Sequence, residues 1–444
     1  MNYTQLQRKV IKAGLCTHCG TCAGLDKRLE MTETRHGPVP LSTDRDFELE
    51  PAIESACPGI GIDYARLNRS IFGKYPQNWL IGNIENAYIG YSGNSEIRLK
   101  GASGGVITQI LLYLLEKGEI QGAVVLKHGV PQPWLAQSFI ARTSKEIIEA
   151  SQSVYAPIPV NTILDELNLF NGKLAFVGLP DQVASIRQLQ NAGHPAVKKI
   201  KYIIGPYVGI NMYASAVLKF ARTRGIKDPG SIREVKYRDG EWPGCLKITT
   251  HDGRTVKAEK FYYNYLLPFY ITRSTLYSVD FANDLTDISV GDAWSPQYEK
   301  KGKGFAVVIA RKKAADAILQ EMKAEGCLKL ERKQCEEVLN MHGHMFDFKK
   351  RGAFVRMSFR KVLGRRVPDY DIAPYRIGFP RYLVELVIFG IIKLCSSSLA
   401  RGILQIIPVD WIGPFFNASR KGWKGLSKPT KRKGLMNQEY KILR

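Results

Sequence analysis

The sequence predicts an α/β (α+β mixed) core with a mixed sheet, a small cysteine-bearing module before it and a basic, partly helical tail after it. Strand-like and helix-like apolar runs alternate along the middle of the chain, which is the pattern of an α/β layer. With 444 residues and 45% hydrophobic content, the chain is long enough for two or three domains. The predicted domain ranges are 1–75, 76–160, 161–330 and 331–444.

The core elements each have a sequence signal. "NAYIGYSG" and "GAVVLKH" indicate buried strands, and "GASGGVITQILLYLLEKG" between them places a glycine-rich turn directly before an apolar helix. "KLAFVGLP" followed by "DQVASIRQLQ" repeats the strand and helix, with Asp181 in a position to cap the helix. The runs between residues 232 and 310 become strand-like again, and we expect one mixed sheet there.

Three cysteines lie within seven residues in "GLCTHCGTCAG". The spacing C-x2-C-x2-C is typical of the first three ligands of a 4Fe-4S cluster, and Gly20 supplies the freedom for a tight turn. A fourth cysteine followed by proline, in "SACPGIG", completes the set. The sequence therefore predicts a ferredoxin-like module with one 4Fe-4S cluster, on the ligands Cys16, Cys19, Cys22 and Cys57.

Zinc is the competing interpretation of these cysteines, because four thiolates also suit a closed tetrahedral site. Zinc ribbons favour two separated C-x2-C pairs, whereas three cysteines are crowded together here. A disulfide framework is a third alternative, but "MNYTQLQRKV" lacks the apolar core of a signal peptide. We interpret the remaining cysteines, which lack mutual spacing, as structural: Cys245, Cys327, Cys335 and Cys395.

The segment "KGASGG", residues 100–105, is a second candidate site. A turn of small residues before a helix exposes backbone N–H groups and a positive dipole end, which favour a phosphate or an electron-rich ring edge. An ordinary helix start explains the same composition, and composition alone leaves both interpretations open. In "DISVGDAW", Asp292 follows a glycine and could hold a ribose, an amine or a metal-bound water, or cap local backbone N–H groups.

The order of these motifs resembles the coenzyme F-420 hydrogenase/dehydrogenase beta-subunit family. The resemblance rests on "CTHCGTC", "ACPG", "KGASGGVITQILLYLLEKGEIQGAVV", "FVGLPDQV", "EWPGCLKI" and "DFANDLTDISVGDAW". It implies an FAD-dependent iron-sulfur oxidoreductase with an α/β core, in which the "GASGG" turn lies on the flavin. The cofactor-binding residues so implied are Lys100, Ala102, Ser103, Gly104, Gly105, Gly178, Gly291 and Asp292.

Four positions depart from the family pattern. Asp181, Tyr207, Thr275 and Ser278 stand where relatives often have cysteines. The resemblance implies that those cysteines hold a second, inner cluster. Because all four are replaced together, we expect this chain to keep the N-terminal cluster and to lack the inner one.

The C-terminal quarter is strongly basic, with 23 Lys/Arg against 9 Asp/Glu between residues 331 and 444. An apolar run there is interrupted by Glu385 and Lys393, which makes it short and charged for a membrane span. Tryptophans and phenylalanines among basic residues suit a helix lying on an anionic membrane surface. A helix packed on the body of the protein, with a solvated basic end, is the equal alternative.

We expect a cytoplasmic oxidoreductase that takes electrons from a ferredoxin-like or deazaflavin donor and reduces an organic acceptor. The alternative is an electron-transfer beta subunit that feeds a partner redox subunit and has no substrate of its own. A peripheral position at the inner face of the membrane is expected if the tail binds anionic lipid. Despite a net charge of +23, no nucleic-acid module is recognisable, so we expect no specific nucleic-acid binding.

Overall fold

The computed structural model describes residues 1–259, 262–407 and 409–443. Its N-terminal segment is built from short elements: α1 (Tyr3–Leu6), α2 (Thr21–Leu25), β1 (Glu30–Thr34), β2 (Gly37–Leu41), α3 (Ala52–Ala56), β3 (Gly61–Ile62) and α4 (Tyr64–Phe72). Strands β1 and β2 form an antiparallel hairpin. The ferredoxin-like character of this segment stays a prediction.

The core follows from residue 86. Its first half contains β4 (Asn86–Ser92), α5 (Ser95–Lys100), α6 (Val106–Glu116), β5 (Gly122–His128), β6 (Ala136–Ala141), α7 (Ser144–Glu149), α8 (Leu164–Leu169), β7 (Leu174–Val177) and α9 (Pro180–Asn191). Its second half contains β8 (Ile200–Pro206), α10 (Ser215–Thr223), β9 (Ile232–Asp239), β10 (Cys245–Thr250), β11 (Thr255–Glu259), α11 (Leu267–Tyr270), β12 (Ile288–Asp292), α12 (Pro296–Lys301), β13 (Ala306–Ala310), α13 (Lys313–Ala324) and β14 (Leu328–Lys333).

Eight strands form one mixed sheet in the order β14-β4-β13-β12-β8-β7-β5-β6. The four strands β5, β7, β8 and β12 are parallel neighbours, and the outer pairs are antiparallel. The predicted α/β core with a mixed sheet is therefore confirmed. The expectation of one mixed sheet across residues 232–310 was wrong, because β9, β10 and β11 form a separate antiparallel sheet. Short connections let these three strands pair with one another instead of joining the large sheet.

Apolar helices cover the large sheet on both faces. Helix α6 buries Val106, Ile110, Leu111 and Leu114 against one face, in the cluster that includes Tyr88 of β4. Helix α9 contributes its apolar side to the cluster on the other face. Burial of a large apolar side chain contributes about 1.5–3 kcal/mol, so these two layers account for much of the driving force for folding.

The chain continues through α14 (Cys335–Phe346), α15 (Ala353–Val362), β15 (Asp369–Tyr370), β16 (Ile372–Pro374), α16 (Phe379–Cys395), α17 (Ser398–Ile406), α18 (Val409–Arg432) and β17 (Tyr440–Ile442). Strand β15 pairs with β3 of the N-terminal segment, and β16 pairs with β17. In the part of the chain that the structure describes, no single helix is long and apolar enough to cross a membrane. The pair Phe379–Cys395 and Ser398–Leu404, bent by 68°, passes that test of length and composition only when taken together.

Part of the basic charge of this region lies inside the protein. Arg356, Arg381 and Lys350 are each at most 2% exposed and pair with buried acids. Glu385, which interrupts the apolar run in the sequence, is fully buried and pairs with Arg356 and Arg381. Glu385 does interrupt the apolar run in the sequence, as noted above, and its carboxylate faces the protein interior.

Replacing Glu385 by alanine should destabilise the protein by about 3–5 kcal/mol, because two buried guanidinium groups would lose their counter-charge. Burial opposes ionisation of Glu385, but Arg356 and Arg381 outweigh it and hold its pKa below the ordinary value. Urea unfolding of the variant measures the loss. Glu331→Ala is the control, since its exposed bridge to Lys333 contributes less than about 1 kcal/mol. Equal losses in the two variants would contradict the prediction.

Candidate functional site

A cavity of about 230 Å³ lies at the carboxyl ends of the four parallel strands. Leu126 of β5, Gly178 after β7, Tyr207 after β8 and Gly291 of β12 all line it. In open α/β sheets, ligands bind in the crevice at this edge, because the strand ends and the following helix N-termini present free backbone groups. The cavity therefore lies where the topology of the sheet favours a ligand-binding site.

The glycine-rich turn before α6 forms one wall of this cavity. Ser103, Gly104 and Gly105 have φ values of 51°, 78° and 72°, three left-handed residues in succession. A Cβ at Gly105 would lie 2.4 Å from the carbonyl oxygen of Ile97, so glycine is required there. The turn brings Ala102, Ser103 and Gly105 to the cavity, directly before the N-terminus of the helix.

The carboxylate of Asp292 holds three parts of the site together. It accepts hydrogen bonds from Ser103 Oγ at 2.6 Å and from Trp242 Nε1 at 2.7 Å. The Arg238 guanidinium donates to both of its oxygens, at 3.0 and 3.1 Å. Because such bidentate, charge-assisted pairs are geometrically specific, Asp292 fixes the glycine-rich turn against β9 and the segment that follows it.

Six of the eight predicted cofactor-binding residues line the cavity: Ala102, Ser103, Gly105, Gly178, Gly291 and Asp292. Lys100 is exposed at the end of α5 and does not line it. Gly104 is buried, but a Cβ there would point at the Gly304 carbonyl oxygen and Tyr91 Cβ, both 3.0 Å away. Close approach of another protein segment, rather than of a ligand, therefore explains the glycine at position 104.

Several lining residues were not predicted from the sequence. Arg238, Trp242 and Tyr155 lie on or beside the cavity, and residues 151–156 run along it. Trp242 belongs to "EWPGCLKI", a segment that carried the family resemblance but received no role. That segment could have indicated a functional loop from the sequence, because it combines an aromatic residue with proline and glycine, and binding residues often lie on loops.

Tyr207 lies where the family pattern has a cysteine. Its ring packs on Gly291, where a Cβ would lie 2.3 Å from the ring. His342 packs edge-on against Tyr207 with ring centroids 5.5 Å apart. Burial raises the pKa of Tyr207 far above its ordinary value and lowers that of His342 to about 4, so both are neutral near pH 7. Tyr207 Oη and His342 Nε2 are buried without a hydrogen-bond partner among the described residues.

The four predicted metal-ligating cysteines line a second, small cavity near the N terminus. Gly20, between two of them, has φ of 87°, and a Cβ there would lie 2.7 Å from the Pro159 carbonyl oxygen. Burial, reinforced by the neighbouring thiols, raises the pKa of Cys57 to about 12 and raises those of Cys16 and Cys22 as well. Among the described residues, no three His, Cys, Asp or Glu side chains converge closely enough to hold a single metal ion.

His18 lies within the cysteine motif, between Cys16 and Cys19. Its Nδ1 lies 2.7 Å from the carbonyl oxygen of Pro38, and the residue is 5% exposed. Burial lowers its pKa to about 4, which leaves it neutral. The sulfur of Cys19 instead contacts hydroxyls, with Thr21 Oγ1 at 3.2 Å and Ser185 Oγ at 3.8 Å.

The two cavities are separated by a wall of few residues. Asn161 Nδ2 donates to Thr21 Oγ1 at 2.9 Å and to the Gln182 carbonyl oxygen at 3.1 Å. Thr21 lines the cysteine cavity and Gln182 lines the strand-end cavity. The Asn161 backbone also donates to the Cys19 carbonyl oxygen at 2.9 Å. A continuous chain of hydrogen bonds therefore connects the two cavities through buried groups.

The positions that depart from the family pattern are partly brought together. Ser278 Oγ donates to Asp181 Oδ1 at 3.1 Å, and the buried Lys349 Nζ donates to the Thr275 carbonyl oxygen at 3.2 Å. Burial lowers the pKa of Lys349 to about 8, although Asp181 opposes the shift. Tyr207 lies apart from these residues, against β12. Polar side chains therefore occupy positions 181, 275 and 278, and those of Thr275 and Ser278 are buried.

The prediction that Asp181 caps α9 was wrong. The backbone N–H of Leu179 donates to Gln182 Oε1 at 2.8 Å. The side chain of Gln182, and not that of Asp181, therefore accepts the hydrogen bond at the start of the helix. The carboxylate of Asp181 instead meets Ser278. Burial raises the pKa of Asp181, and the nearby Lys349 and Ser278 oppose that shift.

A mixed α/β sheet, a cavity at its strand ends and a cavity lined by four cysteines define this protein as an α/β protein with two candidate sites, and sequence comparison identifies its family. Two profiles of the coenzyme F420 hydrogenase/dehydrogenase beta-subunit family match the chain. The N-terminal profile covers residues 87–165, and the C-terminal profile covers residues 171–335. The chain belongs to this family, as the motif order predicted. The predicted domain boundaries stay predictions.

Individual relatives are distant. A coenzyme F420-dependent sulfite reductase of Methanocaldococcus jannaschii is 24% identical over 73% of this chain, which spans 48% of that relative. The coenzyme F420 hydrogenase subunit beta of Methanothermobacter thermautotrophicus is 26% identical over 65% of this chain and 99% of its own length. A chain of the F420-reducing [NiFe] hydrogenase complex of Methanosarcina barkeri, 20% identical, shares the fold with a TM-score of 0.53 over 66% of this chain and 98% of its own. These relatives support an oxidoreductase-related role.

Proposed function

We propose that this chain is a flavin-dependent iron-sulfur oxidoreductase with one 4Fe-4S cluster and FAD. It would pass electrons from a ferredoxin-like or deazaflavin donor to an organic acceptor. When bound, the cluster would carry single electrons and the flavin would exchange them for a pair. The observation that carries the proposal is the chain of hydrogen bonds that connects the two cavities through Thr21, Asn161 and Gln182.

The spacing of the cysteines favours an iron-sulfur cluster over zinc. Zinc ribbons favour two separated C-x2-C pairs, whereas three of these cysteines lie within seven residues. A cluster instead takes each thiolate at a separate iron. Because burial disfavours the free thiolates of Cys16, Cys22 and Cys57, a positively charged metal centre would supply the compensating charge.

The strand-end cavity fits part of a flavin. Left-handed backbone at Ser103 to Gly105, the α6 N-terminus and the guanidinium of Arg238 offer donors for anionic or electron-rich groups. Its volume of about 230 Å³ lies below the usual range of about 300–1,000 Å³ for small-molecule sites. Entry of a whole FAD would therefore require residues 151–156, which line the cavity, to move outward.

A second candidate is an electron-transfer beta subunit without a substrate of its own. It is favoured by the relatives named as hydrogenase beta subunits, of which this chain spans 99% and 86%. A partner redox subunit would then bind the acceptor. Purification from the native host under mild conditions separates the two candidates. A stoichiometric redox partner supports the second candidate, whereas turnover by the isolated chain supports the enzyme.

Anaerobic purification followed by an absorbance spectrum and metal analysis tests the cofactors. We expect about four iron atoms per chain, as one 4Fe-4S cluster requires, together with a flavin spectrum that releases FAD on denaturation. Zinc in place of iron, or iron near eight per chain, would contradict the single cluster. A colourless, folded protein that takes up neither iron nor FAD on reconstitution would overturn the proposal.

A further inference from the structure

Helix α16 has two of its three charged side chains inside, whereas Lys393 and many apolar side chains are exposed. Arg381 and Glu385 are buried against the body of the protein, together with Phe389 and Ile392. The opposite side exposes apolar residues, including Leu394 at 72%. A helix on the surface of a protein in water normally has the reverse pattern, so this helix is suited to an apolar surrounding.

The exposed apolar side chains continue from α16 into α17 and α18. Twelve of them are between 44% and 84% exposed: Phe379, Leu383, Leu386, Val387, Ile391, Leu394, Leu399, Ile403, Ile406, Trp411, Phe415 and Leu426. By sequence, residues 386–433 contain nine Lys/Arg and one acidic residue. Large exposed apolar surfaces mark an interaction site, and surrounding cations indicate an anionic partner.

These helices also line an open cavity of about 830 Å³, the largest described for the protein, and its wall includes Ile391, Leu394, Leu399 and Phe415 of the exposed set. Its walls are almost wholly apolar, with Phe269, Ile392, Leu404 and Phe416 among them. Arg420 on α18 also lines the cavity and is exposed to solvent. The volume lies near the upper end of the range of about 300–1,000 Å³ for small-molecule sites. The lining suits a long apolar chain, and Arg420 suits an anionic group at its end.

We propose that this cavity binds the apolar chain of one anionic membrane lipid, with its headgroup at Arg420, while the exposed apolar face lies on the same membrane surface. The proposal does not depend on the redox cofactors. It assigns a role to apolar residues outside the segments matched by the family.

Charge argues for lipid rather than a second copy of this chain as the occupant. A symmetric dimer would place the same face of both chains in contact, and it would bring together the exposed basic residues of both chains, among them Arg420, Lys421 and Lys424. Like charges brought together in this way repel one another. An anionic membrane supplies negative charge for the basic residues and an apolar interior for the exposed apolar side chains.

Vesicles of dioleoylphosphatidylglycerol, with dioleoylphosphatidylcholine as the neutral comparison, provide the test on the full chain. The protein is incubated with vesicles, recovered from them at high salt, and examined by native mass spectrometry for retained lipid. We expect one phosphatidylglycerol per chain and flotation with the anionic vesicles. Ala400→Trp should abolish retention, because Ala400 lines the cavity. Gly402→Trp on the same helix, where a Cβ meets nothing within 4 Å, should retain lipid.

Arg420→Gln should weaken lipid retention about fivefold. Lys421→Gln is the control, because it removes the same charge from an exposed neighbour that does not line the cavity. It should change lipid retention little. Unchanged circular dichroism spectra and melting temperatures exclude misfolding. Absence of lipid from the wild-type chain, equal retention by Ala400→Trp, or equal effects of Arg420→Gln and Lys421→Gln would overturn the proposal. So would a stable dimer by light scattering that neither floats nor retains lipid.

Discussion

Replacing Cys57 by serine should reduce bound iron from about four atoms per chain to less than about one, because a 4Fe-4S cluster needs four thiolates. Cys57 lies some 35 positions after the other three cysteines in the sequence, yet it lines the same cavity. Serine keeps the size of the side chain but is a poor ligand for iron at neutral pH. Iron analysis and the visible absorbance of the anaerobically purified variant measure the effect.

Cys245→Ser is the matched control, because Cys245 lies in β10 and does not line the cysteine cavity. It should keep the full iron content and spectrum. Full iron in Cys57→Ser would exclude Cys57 as a ligand, and loss of iron from Cys245→Ser would show that the ligand set is wrong. Thermal melts of both variants, with and without reconstitution, distinguish loss of the cluster from loss of the fold.

Elements with strong local patterns were predictable. Strands β4 and β5 were predicted at 86–93 and 122–128, and they span Asn86–Ser92 and Gly122–His128. Their apolar runs are short, continuous and bounded by turn residues, so local sequence defines them. The glycine-rich turn was found for the same reason, since three successive left-handed residues favour small side chains.

Pairing between distant segments was not predictable. Arg238 meets Asp292 across 54 positions, and Trp242 meets it across 50. Glu385 pairs with Arg356, which lies 29 positions earlier on a different helix. A single sequence gives the charge of each residue but not its distant partner. Buried ion pairs are therefore features that the sequence alone did not predict.

The burial of charged side chains also changes the interpretation of the basic tail. Lys349, Lys350, Arg351, Arg356 and Arg381 count toward its net charge, but all five are at most 5% exposed. The exposed basic residues of this region lie both on the last three helices, as at Lys421 and Lys424, and before them, as at Lys361 and Arg365. Exposed basic and apolar side chains occur together between residues 379 and 433.

Replacing Ala102 by phenylalanine should weaken FAD binding at least about tenfold, which corresponds to about 1.4 kcal/mol. Ala102 lines the strand-end cavity, just before the left-handed turn. It does not itself have a positive φ, so a larger side chain adds volume to the cavity without backbone strain. The flavin absorbance per chain, and the dissociation constant of FAD from the apoprotein, measure the effect.

Ala314→Phe on α13 is the control, since Ala314 is exposed and lies outside the cavity lining. It should bind FAD as the wild-type chain does.

A second comparison separates the effect of backbone strain from the effect of filling the cavity. Gly104→Val and Gly118→Val both place a bulky residue in left-handed backbone. Only at Gly104 would the new side chain contact another segment of the protein. Full flavin occupancy in a folded Ala102→Phe variant would show that the flavin lies elsewhere. If Ala102→Phe loses flavin while Gly118→Val keeps it, the loss follows from filling the cavity, and the strand-end cavity is the flavin site.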